Sequence, residues 1–241
     1  MLEKTLGIVL HQIKFGESSL IVHLYTRRWG RLGLLVPGAR GSSKNRKTHL
    51  LQPLTLLELE VYHKPNRELQ KIKEARNHSP YVHLVSDPVK STIALFLADV
   101  LYRVLREEES NPEMFDFISF NLQFLDLADQ GTSNFHIYFL IRLTKYLGFY
   151  PDTPPAGQPA WFSLESGTFT ESRPAGGSFL DAGMTELLVQ FLQVQAGELH
   201  TIGLDRARRM AMLEALLRYY RFHLEGLGEI RSHQVLAALF S

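Results

Sequence analysis

The sequence predicts an α+β protein of two domains. Residues 1–80 read as a five-stranded oligonucleotide-binding (OB) barrel, and residues 81–241 as an all-helical domain with a small irregular loop or strand-bearing insert at 150–182. Three observations carry this prediction. Apolar residues over the first 80 positions come in short runs broken by turn signals. After Pro80 they recur at spacings of three and four. The charge divides at the same place: residues 1–80 hold 14 Lys and Arg against six Asp and Glu, a net of +8, while residues 81–241 hold 12 against 19, a net of −7. The formal total of +1 therefore conceals a basic front and an acidic back, and a basic front points to a polyanion partner.

The strands follow in order. "TLGIVLHQIK" is β-branched and apolar, "SSLIVHLYT" follows a "FGES" turn, and "RLGLLVPG" follows "RRWG". "LLELEVYH" alternates, with Leu57, Leu59 and Val61 on one face and Glu58, Glu60 and Tyr62 on the other. The "KPNRE" turn leads to "LQKIKEA". Five short strands with closely spaced turns are most economically closed as a barrel of the OB type. Helices then open at "SDPVKSTIALFLADVLYRVLREEE", with Ser86 and Asp87 as cap candidates and Pro88 in the first turn. "PEMFDFISFNLQFLDLA" and "NFHIYFLIRLTKYLG" follow, the latter closed by Gly148. "DRARRMAMLEALLRYYRFHLEG" and "SHQVLAALF" complete the set.

Composition removes several function classes. With 45% hydrophobic residues the chain can bury a core, and with no cysteine it can form neither disulfides nor thiolate metal sites. The N-terminus lacks a signal-peptide pattern, and no run approaches the roughly 18 apolar residues of a membrane helix. The expectation is a soluble, cytoplasmic protein with no membrane partner. The ten histidines are scattered without an HExxH or HxH spacing, no Ser sits in a GxSxG elbow, and Glu107, Glu108 and Glu109 read as solvated acids at a helix end. "GARGSSK" fails as a phosphate-binding P-loop, because Ser43 and Asn45 stand where Gly and a hydroxyl residue are required around the Lys. No catalytic site, metal site or cofactor is expected.

The basic front is concentrated in "YTRRWGRLGLLVPGARGSSKNRKTHL", residues 25–50, which holds seven Arg and Lys and no Asp or Glu. Arg27, Arg28, Arg31, Arg40, Lys44, Arg46 and Lys47 are candidates to neutralise phosphates, and Tyr25 and Trp29 are candidates to stack on bases. "GARGSSKNRK" is too rich in Gly and Ser for regular structure and reads as a basic loop. On the third helix Arg142, Lys145, Tyr146 and Phe149 lie three or four apart and share a face.

These segments resemble a family. "GIVLHQIKFGESSLIVHLYTRRWGRLGLLVPGAR" followed by "LLQPLTLLELEVY" resembles the amino-terminal domain of the bacterial recombinational-repair RecO family, and "LTKYLGFYPD" resembles that family's "LL..LGF.P" helix end. The resemblance implies an OB domain before a helical domain, and binding of single- and double-stranded DNA in the nucleoid. It also implies annealing of complementary strands coated with single-stranded-DNA-binding protein, and work with RecR to load the RecA recombinase without ATP. It further implies that the helical domain captures the acidic carboxy-terminal tail of single-stranded-DNA-binding protein, for which Arg142, Lys145, Tyr146 and Phe149 are the candidates. One departure is clear: many members carry a four-cysteine zinc module after "LGF.P", and here that region keeps "WFS...G" without any cysteine. Packing around Trp161, Phe162 and Phe169 is expected to replace it. The rival reading is another OB-fold protein, an RNA-binding regulator or a nucleic-acid-processing enzyme.

Overall fold

The computed structural model describes residues 1–39, 50–65, 67–154, 161–174, 176–230 and 232–239, the last three by backbone alone. β1 (Leu2–Phe15), β2 (Ser19–Thr26), β3 (Gly30–Val36), β4 (Leu56–Tyr62) and β5 (Leu69–Asn77) close into a barrel in the order β1-β2-β3-β5-β4. β1 is long enough to serve two neighbours: its first half pairs with β4 and its second half with β2. The register shift between Val9 and His11 marks the bend that lets it do so. Closure is made by the parallel pairing of β3 with β5, from Gly33↔Leu69 to Leu35↔Lys71. This is the expected OB barrel.

Alternation decides what fills it. Leu32, Leu34 and Val36 of β3 and Leu57, Leu59 and Val61 of β4 point inward with Val9, Leu20, Val22 and Leu24. These branched side chains are at most 7% exposed. Full burial of each is worth roughly 1.5–3 kcal/mol.

Two helices belong to the same compact unit as the barrel, Met1–Asp126. Asp87 caps α1 (Pro88–Val104), its carboxylate accepting from the amides of Val89 and Lys90 at 2.8 and 3.0 Å. α1 stops at Val104, five residues short of the expected Glu109 end. The carbonyl of Glu107 is taken instead by the amide of Arg31 at 2.9 Å, so this segment lies against the β2–β3 turn. α2 spans Pro112–Leu127.

The second compact unit, Leu127–Ser241, contains α3 (Thr132–Leu147), ended by Gly148 at φ +87°. Next come three short strands, β6 (Trp161–Ser163), β7 (Phe169–Thr170) and β8 (Phe179–Leu180), in the order β7-β6-β8. α4 (Ala182–Gln193) then precedes a 3₁₀ turn at Ala196–Thr201, α5 (Arg206–His223) and α6 (His233–Leu239). The sequence reading leaves 184–204 unassigned. α4 is nevertheless announced by Asp181, which caps the Met184 amide at 2.9 Å, and by the buried spacing of Thr185, Leu187, Leu188 and Phe191. The insert is held by rings: Phe162 lies 4.9 Å from Phe169 and 5.7 Å from Tyr219, and Trp161 meets Phe179 edge-on at 5.2 Å.

Candidate nucleic-acid interface

The basic stretch divides sharply once folded. Arg40, Lys44, Arg46 and Lys47 lie outside the described residues. The cations before them are engaged within the protein. Arg27 forms a two-point pair with Asp116 of α2, Nε to Oδ1 at 2.8 Å and a second guanidinium nitrogen to Oδ2 at 3.0 Å. The Asp116 partnership raises the Arg27 pKa, and the same hydrogen bond holds the Asp116 carboxyl below the usual range. Arg28 is ion-paired with Glu3. Arg31 donates to the carbonyls of Tyr102 and Leu105 at 2.7 and 3.0 Å, and its guanidinium lies 4.5 Å from the Tyr102 ring centre. It thereby caps the carboxyl end of α1, where carbonyls lack helical partners and the helix dipole favours a cation.

The two stacking candidates also differ from a simple exposed ring. Tyr25 is 1% exposed and lies against Phe115 of α2, with ring centres 6.3 Å apart. Burial pushes its phenol up to about 12. Its ring has no open face for a base in this structure. The sequence pattern missed this because Tyr25 points out of the barrel, and only the helix packed over that wall covers it. Trp29 is half-buried, packs on the barrel core and stacks on His63 at 4.3 Å with the planes 7° apart. Arg28 lies 5.3 Å from the same indole.

The wall made by β1, β2 and β3 is therefore partly occupied. His11 of β1 and His23 of β2 both meet Tyr102, at 4.5 and 5.5 Å, beside the Arg31 cap. Burial, reinforced by the Arg31 charge, lowers the pKa of both imidazoles, while Asp99 opposes the shift at His11. A different set of cations is left open at the β4–β5 hairpin. There Tyr62, Lys64, Arg67 and Lys71 line a shallow cavity of about 340 Å³. These cations do not stand out in the sequence as a basic run, because they are dispersed over ten positions and share the hairpin with Glu68.

In the second unit, the face of α3 expected to hold a partner tail is largely turned to internal use. Arg142 donates to the Tyr150 hydroxyl at 2.8 Å and to the carbonyls of Leu192 and Val194 at 3.1 and 2.9 Å, at the carboxyl end of α4. Phe149 stacks on His223 at 5.1 Å and meets Tyr219 and Tyr220 edge-on. Lys145 is exposed, and Tyr146 is half-buried. Among the described residues no group of three or more His, Asp or Glu is placed to hold a metal ion, and no helix is long and apolar enough to cross a membrane.

Comparison with known proteins agrees with the two-part fold. The family model for the recombination protein O N terminal matches residues 1–81, and that for the recombination protein O C terminal matches residues 85–232. The DNA repair protein RecO of Bacteroides fragilis is 38% identical over 241 residues, covering 100% of both chains. The proteins of that name from Porphyromonas gingivalis and Flavobacterium psychrophilum are 37% and 36% identical and cover 97% and 99% of each chain. With the barrel, the helical region and full-length similarity all in agreement, the chain belongs to the RecO family of DNA repair proteins.

Proposed function

We propose that this protein is a DNA-binding recombination mediator. It binds single- and double-stranded DNA, anneals complementary strands and, with RecR, helps load RecA at the nucleoid. The observation that carries the reading is the match of both family models to a chain whose barrel half has a net charge of +8. Annealing needs no bond chemistry. It needs cations that lower the repulsion between two phosphate backbones and a surface that keeps both strands in reach, and the first requirement is matched by the basic run of the sequence at 40–47.

The test is strand annealing without nucleotide, run with and without single-stranded-DNA-binding protein. Wild type is expected to accelerate annealing in both. Replacement of Arg40, Lys44, Arg46 and Lys47 by Ala is expected to slow it. The same replacement is expected to reduce the log–log salt dependence of binding by about 0.7 for each single-strand phosphate that is no longer neutralised. Unchanged annealing and slope would remove the loop from the interface.

The tail of single-stranded-DNA-binding protein is assigned to the face bearing Arg142, Lys145, Tyr146 and Phe149. Lys145 is the exposed cation there, whereas an incoming carboxylate has to share Arg142 with the carbonyls of Leu192 and Val194. Titration of a fluorescent tail peptide against wild type, Arg142→Ala and Lys145→Ala is expected to show weaker binding by both variants. Folded variants that bind as wild type does would place the tail elsewhere.

A further inference from the structure

The outer wall of β4 and β5 offers what the described part of the basic run does not: an exposed ring among cations. Tyr62 is 47% exposed and pairs across the sheet with Lys71. Side chains directly opposite each other on antiparallel strands stand on the same face, so the phenol and the ammonium share the outer surface. Lys64 and Arg67 complete the cavity of about 340 Å³, which no carboxylate lines. None of Lys64, Arg67 and Lys71 forms an ion pair among the described residues, whereas Lys73, two residues on, is held by Glu60 at 2.9 Å.

The hairpin is also braced from below. Gln70 is 2% exposed, and its side-chain amide satisfies three backbone groups: it accepts from the Lys64 amide at 2.8 Å and donates to the carbonyls of Lys64 and Arg67, both at 2.8 Å. The Arg67 amide adds a bond to the Lys64 carbonyl at 3.1 Å. On the β1 side, His63 and Met1 exchange bonds at 3.0 and 3.1 Å, and the Trp29–His63 stack closes the neighbouring turn. Lys64 and Arg67 are therefore anchored through their own backbone groups, which limits the ordering they must undergo on binding.

We propose that the β4–β5 hairpin is a contact for single-stranded nucleic acid, with one base stacked on Tyr62 and the adjoining phosphates held by Lys64, Arg67 and Lys71. This rests on the DNA-binding reading above and adds a contact separate from the 40–47 loop. The ligand class follows from the chemistry. An unpaired strand presents a base face and phosphates together, whereas a duplex keeps its base faces stacked inside. A bare polyanion offers no partner to the ring. α1 and α2 cover part of the β1–β2–β3 wall through Tyr102 and Phe115, whereas the cavity at the β4–β5 hairpin is open, and its cations, unlike Arg27 and Arg28, carry no ion pair among the described residues.

The experiment measures anisotropy of a dye-labelled oligothymidine, an abasic strand of equal length and a duplex. The full-length wild type is compared with Tyr62→Ala, Tyr62→Phe, the Lys64→Ala/Arg67→Ala/Lys71→Ala triple and the loop quadruple Arg40→Ala/Lys44→Ala/Arg46→Ala/Lys47→Ala. Tyr62→Ala is expected to weaken oligothymidine binding about tenfold, the loss of one base stack, and to leave the abasic strand and the duplex within about twofold. Tyr62→Phe keeps the stack and is expected to bind like wild type. The triple is expected to lower the salt slope on both single strands by about 0.7 per phosphate. Hairpin variants that bind all three probes as wild type does, in a protein whose loop quadruple is impaired, would overturn the hairpin contact while leaving the DNA-binding reading intact. An equal loss on the oligothymidine and the abasic strand for Tyr62→Ala would overturn the stacking role. Wild type that binds none of the probes would overturn both readings. The substituted side chains line an open cavity, and matching thermal unfolding confirms that each variant is folded.

Discussion

Arg31 illustrates how a charge that looks available for DNA is used inside the protein. Two carbonyls at the end of α1 accept from its guanidinium, and Tyr102 lies over it. Truncation strands those carbonyls in a partly buried place, so Arg31→Ala is expected to destabilise the protein by about 2 kcal/mol, read as a lower urea midpoint. The Arg27–Asp116 pair is exposed on both sides, and Arg27→Ala is expected to leave the urea midpoint nearly unchanged. His136 tests a second kind of burial. It is fully enclosed, and burial, with Arg209 nearby, brings its pKa down to about 3. A histidine depressed in the folded state binds its proton more readily when unfolded. Stability is therefore complete above the ordinary value of 6.5 and falls as the pH drops from there toward about 3. The slope from this one group approaches 1.4 kcal/mol per pH unit. Urea unfolding at pH 7, 6, 5 and 4 is expected to show that slope in wild type and to lose one proton's worth of it in His136→Gln. His11 and His23 add to the wild-type slope with the same sign, and they remain in the variant.

Elements are joined at a few points where backbone meets backbone. Gly30, at φ +64°, opens β3 with its Cα facing the Glu107 and Glu109 carbonyls. A Cβ there would stand 2.6 Å from the Glu107 oxygen and still closer to that of Glu109, in a left-handed conformation as well. Gly30→Ala is therefore expected to lower the unfolding free energy by about 3 kcal/mol, with loss of protection of the Arg31 amide in hydrogen exchange. At the other end of the same pair of helices, Asp126 gathers the amides of Val82, His83 and Leu84 at 2.9, 2.8 and 2.6 Å, while its own carbonyl takes the Lys90 ammonium at 2.7 Å. Burial alone would raise this carboxyl, but the three amides hold it below its ordinary 3.8. A depressed carboxylate contributes stability that is present above 3.8 and lost as the pH falls below it. Asp126→Asn is expected to reduce stability at pH 7 by about 2 kcal/mol and to flatten the acid limb of the unfolding profile.

On the scale of the whole molecule, aromatic rings pack the described parts of the insert at 161–174 and 176–182. Arg173 lies 5.8 and 5.3 Å from the rings of Trp161 and Phe179, and Phe162 is 1% exposed against Phe169 and Tyr219. Phe162→Ala is expected to destabilise the unit by about 3–5 kcal/mol, and a chelator to leave the wild-type melting temperature unchanged. A chelator-sensitive transition would show that a metal, and not the rings, holds it.

The sequence by itself determined the barrel and most of the helices. A period of two and a period of three to four are local properties, written in Leu57, Leu59 and Val61 on the one hand and in the stripe from Ile93 to Leu101 on the other. It also determined the family, because "GES", "GAR" and "LQPL" are strings, and it excluded thiolate metal chemistry by composition. Which charges remain open was decided by tertiary structure. Arg27, Arg28 and Arg31 look alike in a run without acids, yet each meets a partner, Asp116, Glu3 or the end of α1, that lies distant in sequence or across the sheet. Tyr25 and Tyr62 both look like half-buried strand tyrosines. One is sealed by Phe115, and the other stands open beside Lys71. Periodicity reports which face of a strand a side chain takes. What covers that face depends on packing between elements far apart in the chain, and no local pattern encodes it.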